Sequence, residues 1–184
     1  MRIKTVKDSR SLTLIFPLPA TQKYNRSRPL NMLGFLVGHE GKGSLLSLLK
    51  EEGLASGLSA GGGDSTSSYS SFNINIQLTP KGLKRYTKVI ERTFQYLRLL
   101  REKSLPRYVY EEVRRMAEID YRFAEKTGGT RLVNMFSLLM QIYPLRSVES
   151  TPFLISEYRP RLFDSMLFRL IPENMLALLA AKNL

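Results

Sequence analysis

Phe72-Asn73-Ile74-Asn75-Ile76-Gln77-Leu78-Thr79-Pro80 is the stretch that decides the fold. Apolar and polar residues alternate from Phe72 to Leu78, which is the period of a strand with one face buried and one face wet. Thr79-Pro80 then opens a helix, with threonine as cap and proline in the first turn. Leu83, Tyr86, Ile90, Phe94, Leu97 and Leu100 follow at three- and four-residue spacing, so one long amphipathic helix is predicted from there.

Upstream, Leu54 to Ala60 reads as a second strand. Gly61 to Ser71 holds only Gly, Asp, Ser, Thr and one Tyr, and reads as a flexible turn. The two strands form a predicted hairpin. Further back, Ser11 to Phe16 is a buried strand that Pro17 and Pro19 should end. A helix fits within Lys23 to Val37, with Pro29 near its start. Gly38-His39-Glu40-Gly41-Lys42-Gly43 breaks it. Ser44 then caps a helix from Leu45 to Glu52, which Gly53 stops.

Downstream, Leu105-Pro106 separates the long helix from another carrying Tyr110, Val113, Ala117 and Tyr121 on one face. Gly128-Gly129 is a break. Leu132 to Tyr143 and Pro152 to Leu170 are further helical stretches, the latter restarting at Pro160. Met175 to Ala181 reads as a last buried strand. Strand, helices, paired strands, helices and strand make an α+β domain: a two-layer sandwich of a largely antiparallel sheet against several helices. With 184 residues, 43% of them hydrophobic, the chain can bury one core as a single domain over 1–184.

The chain has no cysteine, which excludes disulfides, thiolate metal sites and a cysteine nucleophile. Its single histidine, His39, excludes any metal site that needs two. No stretch approaches the roughly 18 consecutive apolar residues of a membrane span. Lys7, Asp8 and Arg10 interrupt any signal-peptide core behind Met1. Nothing in the sequence chooses between cytoplasm and periplasm.

The formal net charge is +12, from 28 Lys+Arg against 16 Asp+Glu. Nucleic acid is the first partner class such a charge suggests. Yet the basic residues are spread along the chain, and no block of five or six like charges forms. A solvated basic surface fits better than a nucleic-acid site. An acidic partner, either a neighbouring domain or a substrate, is the other reading.

Gly38-His39-Glu40-Gly41-Lys42-Gly43-Ser44 imitates several motifs. A phosphate-binding loop needs Ser or Thr directly after Gly-Lys and an earlier glycine where Leu36 stands. The zinc motif H-E-x-x-H needs its second histidine where Gly43 stands. The inverted form H-x-x-E-H needs Glu and His where Lys42 and Gly43 stand. The residue chemistry alone therefore reads as a helix-to-helix turn with exposed polar residues at its tip.

The same segment resembles something known. Leu33-Gly-Phe-Leu-Val-Gly38-His-Glu-Gly41-Lys-Gly43-Ser44-Leu-Leu-Ser47, with Gly53-Leu54 after it, resembles the second domain of the insulysin/pitrilysin-like zinc metallopeptidases. The resemblance continues through Leu14-Ile-Phe16-Pro17-Leu-Pro19, Ile74 to Thr79, Gly82-Leu83, Phe94-Gln-Tyr96, Tyr143-Pro144-Leu145, Tyr158-Arg159-Pro160 and Pro172-Glu173-Asn174, in order along nearly the whole chain.

The resemblance implies a middle, non-catalytic domain of a larger peptidase built from four similar α+β domains around a chamber. Zinc and its inverted motif would sit in the parent's first domain, leaving this chain without a cofactor and inactive alone. Its partners would be peptide substrates and the parent's other domains. The resemblance also places a peptide-binding exosite on Gly34, Gly38, Glu40, Leu58, Ala60 and Gly62, where a substrate's N-terminal end adds to a strand edge. Phe35 replaces a histidine of that exosite, Ala60 a glycine and Gly62 a glutamine.

Two points stay open at the level of sequence. Glu40 can meet a substrate ammonium group or bind the amides of its own loop. Leu54 to Gly62 can be a free edge or an inner strand. The alternatives to a peptidase domain are an inactive scaffold or processing-peptidase-like subunit and, more distantly, a basic nucleic-acid-binding domain.

Overall fold

The computed structural model describes residues 1–6 and 9–182. Among the described residues five strands form one sheet in the order β1-β5-β2-β4-β3. They are β1 (Arg2–Lys4), β2 (Arg10–Pro19), β3 (Ala55–Ser65), β4 (Tyr69–Leu78) and β5 (Leu176–Ala181). All neighbouring pairs are antiparallel except β1 with β5. The architecture is the α+β sandwich that the sequence predicts. Strand β1 had no sequence signal, being three exposed residues that lean on β5.

Alternation places the core. Leu12, Leu14, Phe16 and Leu18 of β2 are buried, as are Phe72, Ile74, Ile76 and Leu78 of β4. Asn75 and Gln77 lie exposed on the other face. Register puts Leu12 beside Ile76, Leu14 beside Ile74 and Phe16 beside Phe72, so the large side chains pair across the strands.

Most of the helices cover that face. The helices are α1 (Pro29–Val37), α2 (Leu45–Glu51), α3 (Pro80–Lys84), α4 (Tyr86–Lys103), α5 (Arg107–Arg122), α6 (Gly129–Leu139) and α7 (Pro160–Leu167). Leu33 and Val37 of α1, Val89 and Leu97 of α4, and Phe163 and Leu167 of α7 share one cluster with the sheet. Phe94 packs edge-on to Phe16, with centroids 6.2 Å apart.

Several sequence boundaries are corrected. Pro17 and Pro19 do not end β2, which pairs with β4 as far as Pro19 opposite Tyr69. Pairing with β5 stops at Ile15 opposite Leu176, so beyond it β2 has no β5 ladder for a proline to interrupt. The Gly/Ser stretch is not a loop from Gly61 to Ser71. It continues β3 to Ser65, and Thr66 forms the turn by accepting the N–H groups of Ser68 and Tyr69 on its Oγ1. Small residues tolerate the strand because β4 supplies the pairing.

The long helix predicted after Thr79 breaks at Arg85 (φ −119°, ψ 33°). That break resets the phase: Val89, Thr93, Leu97 and Leu100 are the buried residues of α4, with Ile90 and Phe94 half-buried. Thr93 is tolerated because its Oγ1 donates to the Val89 carbonyl at 2.9 Å. Val109 and Tyr110 are the buried residues of α5, Val113 and Ala117 pack half-buried against the core as expected, and Tyr121 lies exposed on Phe153. Helix α6 starts at Gly129 and ends at Leu139, not Tyr143, and buries none of its residues. Residues 152–159 are not helical, so α7 begins only at Pro160.

Candidate functional site

Helix α1 starts abruptly and ends on a glycine. Arg28 adopts φ 40°, ψ 62°, unusual for a residue with a side chain, and Pro29 follows in the first turn. At the other end the Gly38 N–H donates to the Gly34 carbonyl at 2.8 Å. The loop then turns at Gly43 (φ 82°), and Ser44 Oγ accepts the Ser47 N–H at 3.1 Å to start α2.

This helix lies along β3. A Cβ on Gly34 would stand 3.0 Å from the Ala60 carbonyl oxygen and 3.2 Å from the Gly61 Cα. One on Gly38 would stand 3.5 Å from the Ala60 nitrogen, and one on Gly62 would stand 3.4 Å from Leu30. Helix and strand therefore run in opposite directions, with Gly38 beside Ala60 and Leu30 beside Gly62. The 34/38 spacing puts both glycines on one helix face.

Strand β3 is the sheet's terminal strand. It pairs with β4 on one side only, which answers the question of an inner strand left open by the sequence. Gly34, Gly38, Glu40, Leu58 and Ala60 line one open groove of about 420 Å³, together with Phe35, His39 and Ser59. Leu58 is buried, so what it offers the groove is backbone. Gly62 is not in this groove. It lies two residues further along β3, in a second cavity of about 330 Å³ with Gly63, Ser65, Arg28 and Tyr143 among its lining residues.

Glu40 is exposed, and its carboxylate makes no hydrogen bond or ion pair among the described residues. Its own loop thus leaves it free. His39 lies against Phe35, with ring centroids 6.3 Å apart, and near Gly41. Ser59 joins the groove without having been singled out; it flanks chosen residues, and only the fold shows which way it faces, while His39, read from the sequence as an exposed turn residue, lines the groove as well.

Arg28 at the opposite end of α1 is half-buried and likewise has no ion pair among the described residues. Burial pushes its guanidinium pKa down, and Tyr143 partly offsets this.

Among the described residues no three His, Cys, Asp or Glu side chains converge as a metal site requires. Nor is any helix long and apolar enough to cross a membrane.

Comparison with known proteins places the chain. The family described as "Peptidase M16 inactive domain" matches residues 1–116. The chain belongs to the peptidase M16 inactive-domain family. Drosophila melanogaster insulin-degrading enzyme is 36% identical over 174 residues, covering 95% of this chain and 18% of that protein. Human nardilysin is 33% identical over 187 residues, covering 99% of this chain and 16% of that protein.

The chain therefore spans less than a fifth of the length of these relatives. Among solved structures, pitrilysin superposes with a TM-score of 0.93 at 22% identity, over 99% of this chain and 20% of that one. The separately solved inactive peptidase domain of a Bordetella parapertussis protein superposes with a TM-score of 0.71 at 15% identity, over 95% of this chain and 91% of that one. The M16 inactive-domain fold thus covers the chain well beyond the 116 matched residues.

Proposed function

We propose that residues 1–184 form a single non-catalytic domain of a larger insulysin-like zinc metalloendopeptidase, and that it binds peptides for that enzyme. The chemistry belongs to another domain of the parent, where the zinc would be held. This chain supplies part of the wall of the substrate chamber and an exosite made of Gly34, Gly38, Glu40, Leu58, Ala60 and Gly62.

The observation that carries the reading is the one-sided pairing of β3 beside a groove with an unpaired carboxylate. A terminal strand offers unpaired main-chain groups, so an extended peptide can add to it with little regard for sequence. Ala60, Gly61 and Gly62 have almost no side chain to obstruct a second backbone. Glu40 accepts hydrogen bonds from the peptide's α-ammonium group, a charge-assisted contact. Phe35 and Gly62, which depart from the family exosite, alter side-chain preference and leave the main-chain contacts available.

Titration of matched free-amine and N-acetylated peptides tests this. Wild type binds the free amine more tightly. Glu40→Gln weakens the free-amine peptide by about three- to tenfold and leaves the acetylated one nearly unchanged, as for a half-exposed charge contact. Equal binding of free and capped peptides by wild type rejects the ammonium contact.

A further inference from the structure

Glu40 and Arg28 bracket α1. Both are unpaired among the described residues, and each borders the β3 edge through its own cavity. We propose that Arg28 is a second subsite, for a carboxylate four to five residues from the amino terminus of the peptide bound on β3. The substrate class is then peptides with a free amine and an acidic group at that distance. This rests on the strand-addition reading above.

The spacing follows from the two elements. Helix α1 has 9 residues, so it is about 14 Å long at about 1.5 Å per residue. An extended peptide advances about 3.3 Å per residue, so about four residues bridge that length. Because α1 and β3 run in opposite directions, a peptide with its amine beside Glu40 reaches Gly62 and Gly63 as it nears Arg28.

The Arg28 end suits an anion in three ways. Its guanidinium is half-buried and has no acidic partner, so a carboxylate would be its first. It stands at the N-terminus of α1, where the helix carries no side-chain cap and no acid in its first turn, leaving the positive end of its dipole uncompensated. Tyr143 and Ser65 line the same cavity and can donate hydroxyl hydrogen bonds. Arg28 also borders the apolar groove between α5 and α6, and the carboxylates lining that groove, Asp120, Glu125 and Glu149, form no ion pair with it. The left-handed backbone of Arg28 itself marks a position where glycine or asparagine would be easier to accommodate than arginine.

The test uses the 184-residue chain and C-terminally amidated peptides with free amines. A single Glu is placed at the second, fifth or eighth position and compared with Gln at the same place. Glu at the fifth position is expected to tighten binding by about three- to tenfold, and the other placements by less. Arg28→Lys keeps most of the gain. Arg28→Gln and Arg28→Asn abolish it, the latter being a residue that accepts a left-handed backbone. Pentapeptides with free and amidated C-termini show whether a terminal carboxylate serves as well as a side chain.

Equal gains at all three placements, or a gain that survives both neutral variants, would mean a diffuse effect of the +12 net charge and overturn the proposal. So would no gain from Glu while the amine dependence on Glu40 persists; in that case the edge-binding reading stands and only the Arg28 subsite falls. Failure of any free-amine peptide to bind defeats both.

Discussion

Gly34 and Ala60 touch backbone to backbone: a Cβ on Gly34 would sit 3.0 Å from the Ala60 carbonyl oxygen. That contact holds α1 against β3 and shapes the groove beside the strand edge. A larger side chain must push the helix away, because the opposing atom is main chain and cannot rotate aside. Gly34→Leu is expected to lower stability by about 1–3 kcal/mol. Gly34→Ala should stay within about 1 kcal/mol of wild type, since the helix gains about that much when alanine replaces glycine. Urea denaturation measures both, and a Gly34→Leu protein as stable as wild type would show that the approach does not matter.

Ile76 lies fully buried opposite Leu12 and Leu58 in the middle of the sheet. Truncation removes buried methylene groups and leaves a cavity that the flanking strands cannot close. Ile76→Ala is expected to cost about 2–5 kcal/mol by the same measurement. A loss below about 1 kcal/mol would be typical of a surface substitution and would contradict the core assignment.

Glu52 fastens α2 to α4. Arg92 Nη2 and Nε approach its Oε1 at 2.6 and 2.8 Å, Lys88 Nζ lies 3.3 Å from Oε2, and only a fifth of its side chain is exposed. The hydrogen bond from Arg92 is the main reason its carboxyl pKa lies below the usual value. A lowered folded-state pKa means stability that is present above the unfolded value, about 4.3, and lost as pH falls through the folded value. Glu52→Gln should therefore lower the urea midpoint at neutral pH, with the difference from wild type closing as pH falls through the folded-state value. A difference that does not depend on pH would assign the effect to packing.

How much of this was legible in the sequence depended on periodicity. Phe72 to Leu78 alternates without exception, and its strand was placed residue for residue over that range. Gly61 to Ser65 reads as a loop because small polar residues usually signal one; here β4 imposes the strand by pairing with Gly61, Gly62 and Ser65 across an irregularity at Gly63 and Asp64, which no local pattern reveals. Arg85 interrupts a helix whose apolar spacing runs on through it, so the break was equally hidden. At the site, the residues themselves came from a resemblance, and the glycine spacing at 34 and 38 was visible. That β3 is the terminal strand was not, since strand order is set by long-range pairing. Arg28 carried no sequence signal, because its lack of a partner shows only once the chain is folded.

Amide hydrogen exchange of β3, with and without a saturating free-amine peptide, tests the central claim most directly. Strand addition gives hydrogen-bond partners to main-chain groups that the free domain leaves to solvent. The account predicts slowed exchange within residues 58–62, with β5 at the far side of β2 unchanged. Saturated binding that leaves 58–62 unprotected, or that protects instead the apolar groove between α5 and α6, would contradict it.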